Sequence, residues 1–335
     1  METRILGKTD MEVAVVGFGG IPIQGLSFDE AERVLRRALD RGINFFDSAR
    51  AYTDSEEKMG RALAAHRDRF FLASKALSRT VGKMAAEFEA SLRNLRTGMI
   101  DLYQVHSVGS LEQLEKILGP GGAYEALAAA REAGKIRYIG VTGHSRSVLV
   151  KAIDTGLFDT VQFPYNPIEV EWRDDVIPAA REAGIGTIGM KPLAGGALHN
   201  AAAAIRFTLT SGIDLSIPGM DSVEQVDVNT AAAEPLVPPA DVELAGLARE
   251  KELWGGRFCR RCAYCMPCPN GLDIPFLLLI EAYYSRYELR DWALARLSAL
   301  EKTFGDCTAC GECIEKCPYN LPVPDMMSAA AEHVT

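Results

Sequence analysis

Residues 28–49 read FDEAERVLRRALDRGINFFDSA, and the change of period inside this stretch decides the fold. Over 28–42 the apolar residues Phe28, Ala31, Val34, Leu35, Ala38 and Leu39 recur at helical spacing, and Gly42 supplies the stop. From Ile43 the pattern becomes a short apolar run, which is a strand signal. The same alternation continues along the chain. VAVVGFGG (13–20), INFFDSA (43–49), RFFLASK (69–75) and IDLYQVHS (100–107) are the first four candidate strands. IRYIGVTGH (136–144), TVQFPYN (160–166), GTIGMKPL (186–193) and LSIPGM (215–220) are the other four, with amphipathic helical stretches between them. Eight strand–helix units between Val13 and Asn229 predict an α/β chain built as a closed parallel (β/α)8 barrel, the TIM barrel. An open doubly wound sheet is the alternative, but no GxGxxG opens a first helix.

Composition excludes several functional classes. Hydrophobic residues make up 48% of the 335 and charged residues 24%, as in an ordinary globular protein. A net charge of −9 argues against nucleic acid or an acidic membrane surface as partner. The amino terminus, METRILGKTD, has no apolar signal core, and no apolar run approaches the roughly 18 residues of a membrane helix. These features predict a cytoplasmic protein, in a compartment that keeps thiols reduced.

All eight cysteines lie in two stretches, CRRCAYCMPCP (259–269) and CTACGECIEKCP (307–318). In a reducing compartment such spacing favours metal over disulfides. Zinc is one alternative, and it asks for four ligands, typically two CxxC pairs across a loop. The second stretch instead has the C-x2-C-x2-C-x3-C-P form of bacterial ferredoxins, in which the fourth cysteine of each run serves the other cluster. On that pattern Cys259, Cys262 and Cys265 share one 4Fe-4S cluster with Cys317. Cys307, Cys310 and Cys313 share the second with Cys268, although Cys268 follows Cys265 one position sooner than the ferredoxin form has it. IPFLLLIEAYYSRYELRDWALARLSALEKTF (274–304), between the runs, predicts helix. The chain is therefore expected to divide into a barrel over 1–240 and a small helical ferredoxin-like iron–sulfur domain over 241–335. EPLVPPA (234–240) is a stiff linker between them.

In a parallel barrel the chemistry sits at the carboxyl ends of the strands. Asp47 closes INFFD, Lys75 closes RFFLASK and His106 closes IDLYQVH, with Tyr52 in the loop after the first of these. FFDSARAYTDSE, LASK and DLYQVHS resemble the Asp–Tyr–Lys–His tetrad motifs of the aldo-keto reductases, and RILGKTDMEVAVVGFGG resembles that family's amino-terminal hairpin and first strand. The whole chain resembles the branch with a carboxyl-terminal ferredoxin-like domain, whose first cysteine run also takes the CMPCP form.

The resemblance implies an NAD(P)(H)-dependent oxidoreductase that interconverts a small-molecule carbonyl and an alcohol. Tyr52 would be the general acid/base, Lys75 would lower its pKa, Asp47 would orient Lys75, and His106 would bond the carbonyl oxygen. It also implies a nicotinamide dinucleotide across the barrel mouth. Thr142, Gly143 and Gln162 fall at the carboxamide, and Met190 falls where many members stack a tyrosine; Lys191 follows it. Gly19 and Gly20 end the first strand, while Gly219, Asp221, Ser222, Gln225 and Asn229 fall at the adenosine end. Asp221 stands where members that bind a 2′-phosphate usually carry a cation, so NAD(H) is expected over NADP(H). The iron–sulfur module would transfer electrons, with a one-electron carrier protein as partner, or shape the pocket. The alternative is an iron–sulfur electron carrier whose barrel is a docking scaffold.

Overall fold

The computed structural model describes residues 1–334. A hairpin of β1 (Thr3–Ile5) and β2 (Glu12–Ala14) precedes a sheet of eight parallel strands. These are β3 (Phe18–Gly19), β4 (Phe45–Asp47), β5 (Phe71–Ala76), β6 (Ile100–Val108), β7 (Ile136–Gly143), β8 (Thr160–Pro164), β9 (Gly186–Met190) and β10 (Leu215–Ile217), neighbours in that order. Bridges Val16–Ser216 and Gly19–Gly219 join the first strand to the last, so the sheet closes into the expected barrel. Gly19 lies where a Cβ would come within 2.9 Å of the Ile217 carbonyl, so the seam needs a glycine.

The helices around the barrel are α1 (Phe28–Asp40), α2 (Ser55–Leu63), α3 (Val81–Asn94), α4 (Leu111–Leu118), α5 (Ala123–Glu132), α6 (Arg146–Asp154), α7 (Val176–Glu182), α8 (Ala201–Leu209) and α9 (Val223–Ala231). α1 starts where Ser27 Oγ accepts the Glu30 N–H and the Glu30 carboxylate accepts the Ser27 N–H. Such caps contribute about 0.5–2 kcal/mol each. The buried stripe Ala31, Val34, Leu35, Ala38 and Leu39 is the one its spacing predicts, and it packs on the strands. Leu6, Met11 and Val13 of the hairpin join Phe45, Leu102 and Ile188 inside the barrel and plug its amino-terminal end. One expected strand divides: of VAVVGFGG, Val13 and Ala14 belong to the hairpin and Phe18–Gly19 to the barrel.

Beyond the linker, α10 (Asp241–Gly255) lies against the barrel and meets the cysteine module through Trp254, whose ring lies under Arg286. Glu243 pairs with Arg206 of α8, and Leu247 packs with Ala203 and Ala204. The stretch 274–304, expected as helix, forms α11 (Ile274–Ser285) and α12 (Arg290–Leu297), with the break at 286–289. Glu288 has φ 55 there, and Leu289 N–H bonds back to Tyr283 O. Short α13 (Glu312–Glu315) and α14 (Val323–His333) complete the module. Leu277, Ile280, Met327, Cys313 and Cys317 share its core. Among the described residues no helix is long and apolar enough to cross a membrane.

Candidate active site

β4, β5 and β6 are adjacent, so their carboxyl ends bring Asp47, Lys75 and His106 to one mouth. Asp47 and Lys75 are 2% and 1% exposed and form a buried ion pair, and Lys75 Nζ also donates to Ser48 O at 2.8 Å. Tyr52 stands in the turn between β4 and α2, where its N–H bonds to Ala49 O and its carbonyl accepts the Ser55 N–H. Its ring lies 5.0 Å from Lys75 Nζ and meets His106 edge-on with centroids 6.0 Å apart.

The electrostatics correct one expectation. Lys75 was expected to draw the Tyr52 phenol down, but its ammonium is engaged by Asp47. Burial, with Asp47 beside it, pushes Tyr52 well above 10. Burial also raises Asp47 and lowers Lys75, against the attraction of each for the other. His106 is pushed well below 6.5 by burial and then by Lys75, so it is a neutral imidazole at working pH. Its Nδ1 is buried with no partner among the described residues. A buried orphan of this kind asks for a polar ligand atom.

A cavity of about 600 Å3 opens beside Asp47 and Tyr52 and runs past Gln162, Met190 and Lys191. Gly19, Gly20 and Gly219 form one wall, and Asp221, Gln225 and Asn229 line its far end. Nine of the twelve residues expected at a dinucleotide are thus brought to one groove. Thr142, Gly143 and Ser222 do not line it. Thr142 Oγ1 accepts the Ser107 N–H at 2.8 Å, Gly143 packs against Val108 O and Leu149, and Ser222 Oγ caps α9 by accepting the Gln225 N–H. The expected adenosine end is acidic, with Asp221, Glu224 and Glu288.

Sequence reasoning missed Gln104. Its Nε2 donates to Gln162 Oε1 at 2.8 Å and reaches Asp47 Oδ1 at 3.3 Å, and its own Oε1 is buried without a partner. The available signal was register, because Gln104 and His106 are two apart on one strand and face the same way. Sequence also missed the roof. Arg296 of α12 donates to Ala51 O beside Tyr52 at 3.1 Å, and Arg286 and Tyr287, at the break after α11, line the groove.

The eight thiols are free and sort into two groups. Burial pushes Cys265 up to about 12, with Cys259, Cys262 and Cys317 as its thiol neighbours, and Cys259 up to about 11 beside Cys262 and Cys317. Cys313 is raised by burial and then by Cys307, Cys310 and Cys268. These last four, together with Cys265, also line one hollow. Two quartets of thiols, each drawn from both runs, are a donor set that fits two cubes of four irons. Among the described residues no three His, Cys, Asp or Glu side chains are close enough to hold one ion.

The family model for aldo/keto reductases matches residues 15–203. The chain belongs to this family. The model for a 4Fe-4S dicluster domain matches residues 258–321 of this aldo/keto reductase. It is 33% identical over 207 residues to Aldo-keto reductase YhdN of Bacillus subtilis, covering 56% of this chain and 61% of YhdN. It is 32% identical over 222 residues to Aldo-keto reductase yakc [NADP(+)] of Schizosaccharomyces pombe, covering 59% of this chain and 63% of that protein. The chain thus matches less than two thirds of either relative's length. The fold is also that of aldo-keto reductase AKR11C1 from Bacillus halodurans, with TM-score 0.65 and 23% identity over 75% of this chain and 96% of that one.

Proposed function

We propose that this aldo/keto reductase interconverts a small-molecule carbonyl and its alcohol, with Tyr52 as general acid/base. The observation that carries this reading is the convergence of Asp47, Tyr52, Lys75 and His106 on one another, with Asp47 and Tyr52 lining the groove. The groove fits an extended dinucleotide, with Gln162 toward the carboxamide, Met190 beside the ring, and Asp221, Gln225 and Asn229 toward the adenosine. When bound, the nicotinamide supplies or accepts the hydride. The protein's own work is proton movement and orientation. His106, neutral, donates from a ring nitrogen to the carbonyl oxygen and polarises it. Tyr52 Oη gives its proton to the same oxygen as charge develops there. Asp47 fixes Lys75, and Lys75 fixes the Tyr52 ring from its face. α11, α12 and the turn between them roof the site and exclude water, which strengthens each of these interactions. Purified, cluster-loaded protein should consume NADH with aldehydes or ketones; reduction of quinones alone would favour the carrier reading.

The upward direction of the Tyr52 pKa, set by burial, implies a pH dependence. A phenol held above 10 keeps its proton at neutral pH, so the acid needed for reduction is fully present there. Reduction should stay level from about pH 6 to about pH 9. Oxidation needs the phenolate, whose fraction below the pKa grows about tenfold per pH unit, so its kcat/KM should climb across that range. A reduction rate that falls as pH rises through about 7 would contradict the assignment.

Cofactor choice follows from charge. A 2′-phosphate at the far end would meet Asp221, Glu224 and Glu288, whereas a free 2′-hydroxyl can donate to Asp221. Although the name of the S. pombe relative carries NADP(+), NADH should bind this chain more tightly than NADPH. Asp221→Arg should narrow or invert the preference. Fluorescence titration of both cofactors checks it, and a tenfold preference for NADPH in the unmodified protein would refute it.

The cysteine quartets support two 4Fe-4S clusters, which when bound supply one-electron transfer. Cys310 is exposed, while Cys259 lines a hollow with Lys191, which itself lines the groove. This placement favours a second role, in which a carrier protein docked near Cys310 exchanges single electrons with the clusters.

A further inference from the structure

The CRRC loop sends its two arginines to different places. Arg260 lies 3.7 Å from the centroid of the Tyr319 ring and donates to Ile168 O at 3.3 Å. Arg261, with φ 59, presents its backbone N–H to the Cys259 sulfur and lines a small hollow with Lys191, Gly195, Arg286 and Tyr287. Those last four residues also line the groove, so the hollow is a side chamber of the active site. The approach of the module is close. A Cβ on Gly195 would come within 2.6 Å of Tyr287 Oη, and one on Gly196 within 3.2 Å of Arg286 O.

Three cations therefore meet at the seam: Lys191 from the barrel, Arg261 from the cysteine loop and Arg286 from the turn between α11 and α12. Among the described residues none of them forms an ion pair. Lys191 Nζ is 3.3 Å from His144 Nε2. Arg286 lies over the Trp254 and Phe258 rings, and its Nε is buried without a partner. Two carboxylates are near: Glu281 lines the hollow and lies 3.6 Å from His333 Nε2, and Glu169 is buried and bonded to Asn166 Nδ2 at 2.9 Å. Burial pushes Lys191 well below the ordinary lysine range, and Arg261 pushes it further. With Glu281 as the one carboxylate lining the hollow beside these three basic side chains, the partly buried seam keeps an excess of positive charge that an added anion would offset.

We propose that this chamber receives the carboxylate of the substrate, so that the barrel acts on an oxo or hydroxy acid and Arg261 is its specificity-determining residue. The proposal rests on the reading of the Tyr52 mouth as the carbonyl site. The position of Arg261 distinguishes a substrate anion from the dinucleotide's diphosphate. Arg261 lines the hollow with Lys191 and Tyr287, which also line the groove together with Tyr52, whereas the acidic far end with Asp221, Glu224 and Glu288 is elsewhere along that groove. A planar guanidinium matches a carboxylate with two parallel bonds. The cysteine module is then a substrate-recognition device as well as a redox one: it places one of its own loop residues in the pocket.

Succinate, a dicarboxylate without a carbonyl, is the binding probe. It should quench or shift the fluorescence of NADH bound to cluster-loaded protein, and uncharged succinamide should not. Arg261→Gln should weaken succinate by about 10- to 100-fold, the usual worth of bonds between charged groups, and Arg261→Lys should recover part of that loss. Iron content and visible absorbance, measured on each variant, separate a lost guanidinium from a damaged cluster. Equal affinity for succinate and succinamide in the unmodified protein would overturn the proposal without recourse to any variant. Competition between succinate and NADH would overturn it too, by assigning the cations to the diphosphate. Turnover of succinic semialdehyde against its methyl ester tests the step that follows, with kcat/KM expected to favour the acid at least tenfold. Succinate binding that depends on Arg261, with no reduction of the semialdehyde, would keep the anion chamber and remove the carbonyl-reductase reading.

Discussion

Tyr52→Phe should lower the rate of carbonyl reduction by about 10²–10⁴-fold, the usual worth of a positioned general acid. The substitution keeps the ring that packs edge-on to His106 and under Lys75 Nζ, so folding and cofactor binding should survive. Lys75→Met should act on the same step by another route. It leaves Asp47 in a site 2% exposed without its cation, and breaking a buried pair in this way typically costs about 3–5 kcal/mol. Burial already raises the Asp47 pKa, so the stranded carboxyl takes up a proton and part of that cost is recovered. Thermal stability should therefore fall in Lys75→Met and hold in Tyr52→Phe, while both lose turnover. The double variant should be little slower than either single one, because residues that act as a unit are not additive. Steady-state kinetics with thermal unfolding of the three proteins checks this. Undiminished reduction by Tyr52→Phe would remove Tyr52 from the chemistry.

The second large effect is on metal. Anaerobically prepared protein should carry about eight irons and eight sulfides, one cube of four for each thiol quartet. Cys268→Ala takes a thiol from the group with Cys307, Cys310 and Cys313, so iron should fall to about four while the cluster near Arg261 remains. Cys317→Ala takes one from the other group and should remove that cluster instead. It should also disturb turnover, because Arg261 stands between two ligands of that cube. Iron and sulfide analysis with visible spectroscopy of both variants distinguishes the crossed arrangement from one cluster per run. If both substitutions removed the same cluster, the quartets would be wrong.

Much of this was legible in the sequence because it was written in short-range pattern. The change of period after Gly42 marks helix and strand locally, and eight repeats of it leave few ways to close a sheet. Asp47, Lys75 and His106, three of the four side chains proposed for catalysis, were legible as neighbours because each stands at the carboxyl end of a strand, where a parallel barrel puts its chemistry. The shortened spacing before Cys268 left its partner open. The packing of the two runs sets Cys268, with Cys265, in one hollow with Cys307, Cys310 and Cys313, across some forty residues of chain. The break between α11 and α12 was invisible because 286–289 contains neither Gly nor Pro. It rests on Glu288 in a left-handed conformation and on a bond from Leu289 N–H to Tyr283 O. The direction of the Tyr52 pKa was also hidden. Its sign depends on burial and on which neighbour holds the Lys75 ammonium, and both are properties of the packed site rather than of the motif.

The central claim is hydride chemistry at the Tyr52 mouth, and isotope transfer tests it most directly. Cluster-loaded protein is incubated anaerobically with NADH carrying deuterium on both sides of C4 and with a panel of aldehydes that includes succinic semialdehyde. The alcohol formed is then read by mass spectrometry and NMR. One deuterium on the carbinol carbon, with the second hydrogen on oxygen drawn from water, is the predicted result. NADH oxidation that reduces the clusters and leaves no deuterium in any alcohol would contradict the account and make the chain an electron carrier.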